Sequence, residues 1–324
     1  MQTRMIDAGG MQLQITEAGA GPLVLLCHGF PETALAWRHQ LAAFAEAGFH
    51  AVALDMPGYG GSDCPAEVER YAAIELVGTL VGLLDALGAR DAVICGNDWG
   101  ATIAWQAAQL RPDRFRAIIA AGVPMMGRPP LPPTQLFPSD ADNQFYVLHF
   151  QQPGLAEAEL ERDVRTTLAK IYFAASGDAG PHQPGDGTPN PFGMFQRRDG
   201  LLGALPLPTA LPDWLPQDVF ATMMAAFEHT GFAGGLNYYR NLDRNWRQQA
   251  AFADVQVTVP ALFLVGERDA GLAMPGMREI ISGMAALVPN LCDTVFVPDA
   301  GHWLPQERPE AFNAAAIGFL RSLR

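Results

Sequence analysis

Short runs of consecutive apolar residues recur along the first 121 positions of this chain. They are too short for buried helices and lack the alternation of half-exposed strands, so they predict strands buried on both faces, at residues 23–27, 51–55, 92–95 and 117–121. Between the second and third runs, apolar residues recur at helical spacing over 74–87, and Gly88 stands where a helix C-cap belongs. This alternation predicts an α/β fold with a mostly parallel sheet.

The strand pattern stops after residue 124 and returns at residues 261–265 and 293–297, before a closing helix over 309–323. A proline-rich hinge at 129–133 leads into predicted helical segments such as 155–175 and 217–229. Residues 176–193 are crowded with Gly and Pro and predict a long surface loop. We therefore expect a core domain of residues 1–126 and 251–324, and an inserted helical cap of residues 127–250.

Composition restricts the classes of function. Hydrophobic content of 49% and charged content of 17% are typical of a soluble globular protein, and the net charge of -13 argues against nucleic acid or anionic membranes as partners. No apolar run reaches the ~18 residues of a membrane-spanning helix, so a cytoplasmic location is expected. The four cysteines have no C-x-x-C or metal-ligand spacing, which predicts free thiols and no metal site. A homodimer is compatible with this composition.

The segment Gly96-Asn97-Asp98-Trp99-Gly100 follows a predicted strand and precedes a helix-favouring stretch. This is the G-x-nucleophile-x-G pattern of a sharp strand-to-helix turn, which exposes the central side chain above the strand ends. A carboxylate at that position attacks an electrophilic sp³ carbon and becomes an alkyl ester, so epoxides and alkyl halides are the predicted substrates. Taken alone, the segment is also compatible with an aspartate that only N-caps the helix.

Further residues follow the predicted strands in the chain order that accompanies such a strand-to-helix nucleophile turn. His302 comes just after the last strand and Asp269 after the one before it, which matches the order nucleophile, acid, histidine. Glu267 is the alternative acid. The backbone N–H groups of Phe30, after the first strand, and of Trp99, after the elbow aspartate, are candidates for an oxyanion hole.

Six ordered segments together resemble the soluble epoxide hydrolase family of α/β-hydrolases. They are His28-Gly29-Phe30-Pro31-Glu32, Asp55-Met56-Pro57-Gly58-Tyr59-Gly60, Gly96-Asn97-Asp98-Trp99-Gly100, Phe150-Gln151-Gln152-Pro153-Gly154, Asn237-Tyr238-Tyr239-Arg240-Asn241 and Gly301-His302-Trp303. The resemblance covers nearly the whole chain and includes the insertion. It implies an α/β-hydrolase core with an α-helical cap over the sheet.

The resemblance also implies roles for single residues. In the core, Asp98 corresponds to the nucleophile, His302 to the base that activates water, and Asp269 to the carboxylate that orients the base. The amides of Phe30 and Trp99 correspond to the oxyanion hole.

In the cap, Tyr239 is similar to the tyrosine that donates a hydrogen bond to the epoxide oxygen, and Tyr238 is the less favoured neighbour. The chain departs from the family at His149, which stands where a second cap tyrosine is expected before Phe150. Its neutral imidazole can donate one N–H in place of that tyrosine, and the alternative is a cap histidine hydrogen-bonded to backbone. The residues expected to contact substrate are Trp99, Phe30, Tyr238 and Met125.

The expected reaction converts an epoxide and water to a vicinal diol through a hydroxyalkyl ester on Asp98, without an organic cofactor or a metal. A haloalkane or haloacid dehalogenase is the alternative, since Trp99 can also bind halide. Two features count against it. Phe30 stands where haloalkane dehalogenases offer a second halide donor, and Trp99 and Thr102 stand where haloacid dehalogenases have the arginines that bind the substrate carboxylate. A non-catalytic ligand-binding homologue is the third candidate.

Overall fold

The computed structural model describes residues 1–183 and 185–323. Within these residues the strands are β1 (Gln2–Asp7), β2 (Gln12–Ala18), β3 (Leu23–Cys27), β4 (His50–Leu54), β5 (Ala92–Asn97), β6 (Phe115–Ala121), β7 (Asn143–Phe145), β8 (Met194–Gln196), β9 (Ala261–Gly266) and β10 (Leu291–Val297). Among the described residues, eight strands form one sheet in the order β1-β2-β4-β3-β5-β6-β9-β10, and β7 pairs with β8 in a separate two-stranded antiparallel sheet. The pairs β1–β2 and β2–β4 are antiparallel, whereas the rest of the large sheet is parallel.

Helices flank the sheet and fill the insertion. They are α1 (Arg38–Glu46), α2 (Ala73–Ala86), α3 (Trp99–Leu110), α4 (Pro133–Leu136), α5 (Tyr146–His149), α6 (Leu155–Leu160), α7 (Val164–Ala175), α8 (Gly200–Gly203), α9 (Gln217–Thr230), α10 (Ala233–Arg240), α11 (Leu242–Gln249), α12 (Met277–Gly283), α13 (Leu304–Glu307) and α14 (Pro309–Ser322). Short 3-10 helices lie at Ala34–Trp37, Val68–Tyr71, Ala250–Phe252, Ala270–Ala273 and Met284–Ala286. No helix in the described part of the chain is long and apolar enough to cross a membrane.

The sheet carries a hydrophobic core on each face. Alternate residues of β3 point to opposite sides, so Leu25 packs in the cluster that contains α2 and α3, and Val24 packs in the cluster that contains α1 and α14. Burial on both faces accounts for the unbroken apolar runs of the sequence. The predicted α/β class and the six predicted strands are therefore confirmed, and Gly88 ends α2 with a positive φ of 66° as its predicted capping role requires.

Two strands were not predicted, β1 and β2. They form the antiparallel end of the sheet. In β1 Ile6 is the one buried residue, and in β2 Leu13 and Ile15 alternate with more accessible residues. This alternating, half-exposed pattern lacks the long apolar run that identified the other strands.

The chain between β6 and β9 leaves the sheet and forms α4 to α11 together with the two-stranded β7–β8 sheet. The single helical segment predicted over 155–175 is two helices, because the Asp163 side chain accepts a hydrogen bond from the Thr166 N–H (3.1 Å) and starts α7 afresh. The predicted loop at 176–193 has no helix or strand in its described residues; Pro184 lies outside them. It is not purely superficial, since Phe192 is buried.

Buried hydrogen bonds attach this insertion to the carboxyl edge of the sheet. The Tyr172 hydroxyl donates to the Pro31 carbonyl (2.5 Å), and the Trp303 indole donates to the Tyr172 carbonyl (2.9 Å). The His302 N–H donates to the carbonyl of Ala175, at the end of α7 (3.0 Å). The inserted helices are thus held above the strand ends where the predicted catalytic residues lie.

Candidate active site

Four loops that leave the carboxyl ends of parallel strands converge at one edge of the sheet. Phe30 follows β3, Asp98 follows β5, Asp269 follows β9 and His302 follows β10. Loops at this edge are the usual location of ligand sites in open α/β sheets. The topology alone therefore brings together residues that are up to 272 positions apart, from Phe30 to His302.

Asp98 occupies the sharp turn that the sequence predicted. Its φ of 54° lies in the left-handed region that non-glycine residues rarely adopt, and it directly precedes α3. The turn is possible only because glycines flank it: a Cβ on Gly96 would collide with the Gly100 backbone, and a Cβ on Gly100 would collide with the Cys27 carbonyl. The side chain makes no N-capping hydrogen bond to α3, so the capping interpretation of Asp98 is wrong.

The carboxylate of Asp98 is held from two sides. Its Oδ1 accepts a hydrogen bond from the Phe30 N–H (2.8 Å), and its Oδ2 lies 3.3 Å from His302 Nε2. His302 Nδ1 lies 3.1 Å from both carboxylate oxygens of Asp269. Asp269 is buried, whereas Glu267 is exposed, so the structure brings Asp269 and not Glu267 to the histidine.

The charge on His302 depends on its two carboxylate neighbours. Burial opposes a charged imidazole, but Asp269 and then Asp98 outweigh burial and raise the pKa of His302 well above its ordinary value. With the ring proton on Nδ1 shared with Asp269, Nε2 faces the Asp98 carboxylate. This is the orientation that a general base requires.

Two buried glutamates support this site, and sequence reasoning assigned a role to neither. Glu307 accepts hydrogen bonds from the N–H groups of Gly301 (2.8 Å), Trp303 (2.9 Å) and Gly177 (2.9 Å), and so ties the His302 loop to the end of the inserted helices. Glu32 accepts from the Gln306 amide (2.7 Å). Burial raises the pKa of each glutamate to about 7. For Glu32, the His-Gly-Phe-Pro-Glu segment was an available signal; Glu307 had none.

A cavity of about 240 Å³ opens above Asp98 and His302. Two tyrosines of the inserted helices line it, Tyr239 from α10 and Tyr146 from α5, with ring centroids 5.8 Å apart. Burial raises the pKa of both hydroxyls, and the Asp98 carboxylate raises it further. Both tyrosines therefore remain protonated and can donate hydrogen bonds at physiological pH.

The expected placement of His149 is wrong. It does not line the cavity, and both of its ring nitrogens have partners elsewhere: Nε2 lies 2.8 Å from Glu159 Oε2, and Nδ1 lies 3.2 Å from Gln144 Nε2. The residue in the cavity is Tyr146, three positions earlier and at the start of the same helical turn. The second donor was predicted immediately before Phe150, whereas the tyrosine that lines the cavity lies one turn upstream.

Comparison with known proteins agrees with this architecture. The family model described as alpha/beta hydrolase fold matches residues 22–309. The chain is 42% identical to epoxide hydrolase A of Mycobacterium tuberculosis, across 99% of this chain and 97% of that protein. The chain belongs to the epoxide hydrolase family.

Solved structures of the family superpose closely on the whole chain. Epoxide hydrolase A from Mycobacterium thermoresistibile matches with a TM-score of 0.90 and 41% identity, covering 99% of this chain and 98% of that one. An epoxide hydrolase from an endophytic Streptomyces matches with a TM-score of 0.94 and 38% identity, covering 100% and 96%. The resemblance inferred from the six sequence motifs is confirmed.

Four residues were expected to contact substrate in this member of the epoxide hydrolase family, and not all of them line the cavity above Asp98. Trp99 lines the cavity, and the Phe30 ring packs against Tyr239 behind it (5.7 Å between centroids). Tyr238 is turned away, and its hydroxyl donates to the Pro57 carbonyl (2.9 Å). Met125 lines a second cavity of about 540 Å³, which shares Trp99 and other wall residues with the first.

Proposed function

We propose that this protein hydrolyses an epoxide to a vicinal diol through an ester on Asp98. The observation that carries the proposal is the convergence on one cavity of a carboxylate paired with His302 and of two protonated tyrosines, Tyr146 and Tyr239. A carboxylate is the nucleophile for an sp³ carbon, and a pair of hydroxyl donors suits an oxygen leaving group. The names of the relatives support the same activity.

In the first step, Asp98 Oδ2 attacks one epoxide carbon and the bond from that carbon to the ring oxygen breaks. Oδ1 cannot take this role as readily, because the Phe30 N–H already binds it (2.8 Å). Tyr146 and Tyr239 hydrogen bond to the developing alkoxide, and one of them transfers its proton to it. The product of this step is a hydroxyalkyl ester.

In the second step, His302 Nε2 removes a proton from water, which attacks the Asp98 carbonyl carbon. The Phe30 N–H, and the N–H of Trp99, which as the first residue of α3 has no acceptor within its helix, bind the oxyanion on Oδ1. The Cγ–Oδ2 bond of the ester then breaks, and the imidazolium gives its proton to the leaving alkoxide of the diol. The proton left on the Asp98 acid returns through solvent to the tyrosinate formed in the first step, which restores both the carboxylate and the tyrosine. Because esterification removes the charge of Asp98, the pKa of His302 falls just when it must act as a base.

The cavity walls indicate the class of epoxide. Apart from the reacting groups, they are mostly apolar, with contributions from Phe137, Phe145, Val147, Phe192, Leu242 and Met274. The second cavity, beyond Trp99, offers about 540 Å³ for a further apolar substituent. We therefore propose an apolar epoxide with at least one alkyl or aryl substituent.

Single-turnover hydrolysis of styrene oxide in ¹⁸O-labelled water tests this mechanism, with the protein in excess over substrate. The expected result is unlabelled phenylethanediol and a labelled Asp98 peptide, since water attacks the ester carbonyl and the diol takes an oxygen from the protein. Labelled diol from the first turnover would contradict the ester. Bromide release from 1-bromohexane without any diol from styrene oxide would favour a dehalogenase, and no reaction with either would favour a ligand-binding protein.

A further inference from the structure

Helix α5 places Tyr146 in the cavity although it consists of a single turn, Tyr146–His149. One turn of helix has no stability of its own, because nucleation costs more than its few hydrogen bonds return. The position of the Tyr146 hydroxyl must therefore depend on what anchors α5 in the cap. His149, at the opposite end of the turn, is the buried polar residue of this helix.

A directed chain of hydrogen bonds runs through His149. Arg197 Nη1 lies 2.6 Å from Gln144 Oε1, and a guanidinium can only donate, so the amide oxygen must face Arg197. The Gln144 amide nitrogen then donates to His149 Nδ1 (3.2 Å), which must be unprotonated. The remaining ring nitrogen, Nε2–H, donates to Glu159 Oε2 (2.8 Å). Each group in this hydrogen-bond chain is therefore fixed as donor or acceptor by its neighbours.

This chain joins separate segments of the cap. Gln144 belongs to β7, Arg197 directly follows β8, and Glu159 belongs to α6. The second carboxylate oxygen of Glu159 accepts the Leu202 N–H of α8 (2.8 Å). The bond to His149 helps to lower the pKa of Glu159, although burial is the largest influence and opposes it. Loss of His149 would leave the Gln144 amide nitrogen and Glu159 Oε2 without hydrogen-bond partners inside the cap. Rearrangement of these two groups to find new partners would shift α5.

We propose that His149 is a positioning residue: together with Gln144 and Glu159 it holds α5 so that the Tyr146 hydroxyl lies above Asp98. His149 touches no substrate and acts only through Tyr146. The inference rests on the proposed function, since it requires Tyr146 to assist ring opening. It also gives a physical role to the residue at which the chain departs from its family motif.

The test compares His149→Phe in the wild-type protein and in Tyr146→Phe, with the alkylation rate measured by single-turnover stopped flow. In the wild-type background we expect alkylation to slow about tenfold, because a misplaced donor no longer reaches the epoxide oxygen, and ester hydrolysis to stay within about twofold. In the Tyr146→Phe background His149→Phe should add less than about twofold. A tenfold loss in both backgrounds, or in neither, overturns the proposal.

Two further variants keep the test decisive if His149→Phe folds poorly. The amide of His149→Gln offers one acceptor and one donor, as the imidazole does, and should retain most of the alkylation rate. Glu159→Gln cannot accept from both His149 and Leu202, so it should slow alkylation several-fold. A rate in Glu159→Gln equal to that of wild type, or a rate in His149→Gln as low as in His149→Phe, would count against the proposal.

Thr167→Val is the matched control. It removes another buried cap hydrogen bond, from Thr167 Oγ1 to the Leu160 carbonyl (2.7 Å), which joins α7 to α6 but is not one of the bonds that the Glu159 side chain makes to His149 and Leu202. We expect it to lower the melting temperature without slowing alkylation. An equal slowing in this control would mean that general loosening of the cap explains the His149 effect. If the wild-type protein forms no ester at all, it is the proposed function that fails. If the wild-type protein forms the ester but the variant rates do not follow the expected order, only the inference about His149 fails.

Discussion

The sheet edge and the cap supply the two halves of one site, and they are positioned by different means. Asp98, Asp269 and His302 each follow a strand of the parallel sheet, so the pairing of β5, β9 and β10 with their neighbours sets their positions. Tyr146 lies on α5, which has four residues, and Tyr239 lies on α10, which has eight. The positions of such short helices depend on side-chain contacts. Residues at strand ends can therefore be found from sequence order, whereas residues on short helices depend on packing.

The difference also separates two kinds of group in the proposed mechanism. There the sheet edge supplies the nucleophile and the base, without which no turnover is possible. The cap would supply two donors to the same alkoxide, so each could partly replace the other. We expect substitutions at the sheet edge to cost more than substitutions in the cap, and the following predictions test that order.

Asp98→Ala should show the largest effect. Without the carboxylate no ester forms, and diol production should fall by on the order of 10⁴-fold or more. Asp113→Ala, which removes an exposed carboxylate paired with Arg111, is the control and should retain full activity. Product analysis by chromatography measures both. Activity of Asp98→Ala within about tenfold of wild type would falsify the assignment of the nucleophile.

Asp269→Asn should follow, with a loss of about 10³- to 10⁴-fold in ester hydrolysis, because an amide cannot hold the His302 tautomer in the same way. Alkylation should be affected less, so the ester should accumulate and be visible as added mass on the protein. Glu267→Gln, two residues away but exposed, should be indistinguishable from wild type. Equal losses of activity in the two variants would contradict the assignment of Asp269, rather than Glu267, as the partner of His302.

In the cap, Tyr146→Phe and Tyr239→Phe should each slow alkylation by about ten- to a hundredfold, which corresponds to the loss of one hydrogen bond to a developing charge. The effects should be non-additive in the double variant, since both hydroxyls bind one oxygen. Tyr238→Phe is the matched control, because its hydroxyl binds the Pro57 carbonyl outside the cavity. If Tyr238→Phe slowed alkylation and Tyr146→Phe did not, the assignment of the cap donors would be reversed.

The smallest effect concerns pH and stability. The pKa of His302 is raised in the folded protein, so its favourable contribution to the free energy of unfolding is fully present below about pH 6.5 and is lost as the pH rises through the raised value. Urea unfolding of wild type and His302→Gln at several pH values measures this contribution, including the effect of the His302 charge on the pKa of Glu32. Glu307, with a pKa of about 7, is common to both proteins. The stability difference between the two should shrink with rising pH; a difference that grew would contradict the sign.

The sequence by itself determined the α/β class, six strands of the sheet, the elbow at Asp98 and the positions of Asp269 and His302 after β9 and β10. These features are local: an unbroken apolar run identifies a buried strand, and parallel strands deliver the residues that follow them to a common edge. Sequence reasoning left Glu267 open beside Asp269, because neighbouring positions in a turn can face either side of it.

Only the tertiary structure decided which cap residues enter the cavity. The sequence placed His149 there, but the Gln144 amide and the Glu159 carboxylate hold its ring inside the cap, and Tyr146 takes the expected position. Likewise Tyr238 turns to the Pro57 carbonyl, and Met125 lines the neighbouring cavity. A helix of one or two turns has no long apolar periodicity from which its buried face can be read. That face is set by partners from β7, β8, α6 and α8, which are distant in sequence and meet only in the folded protein.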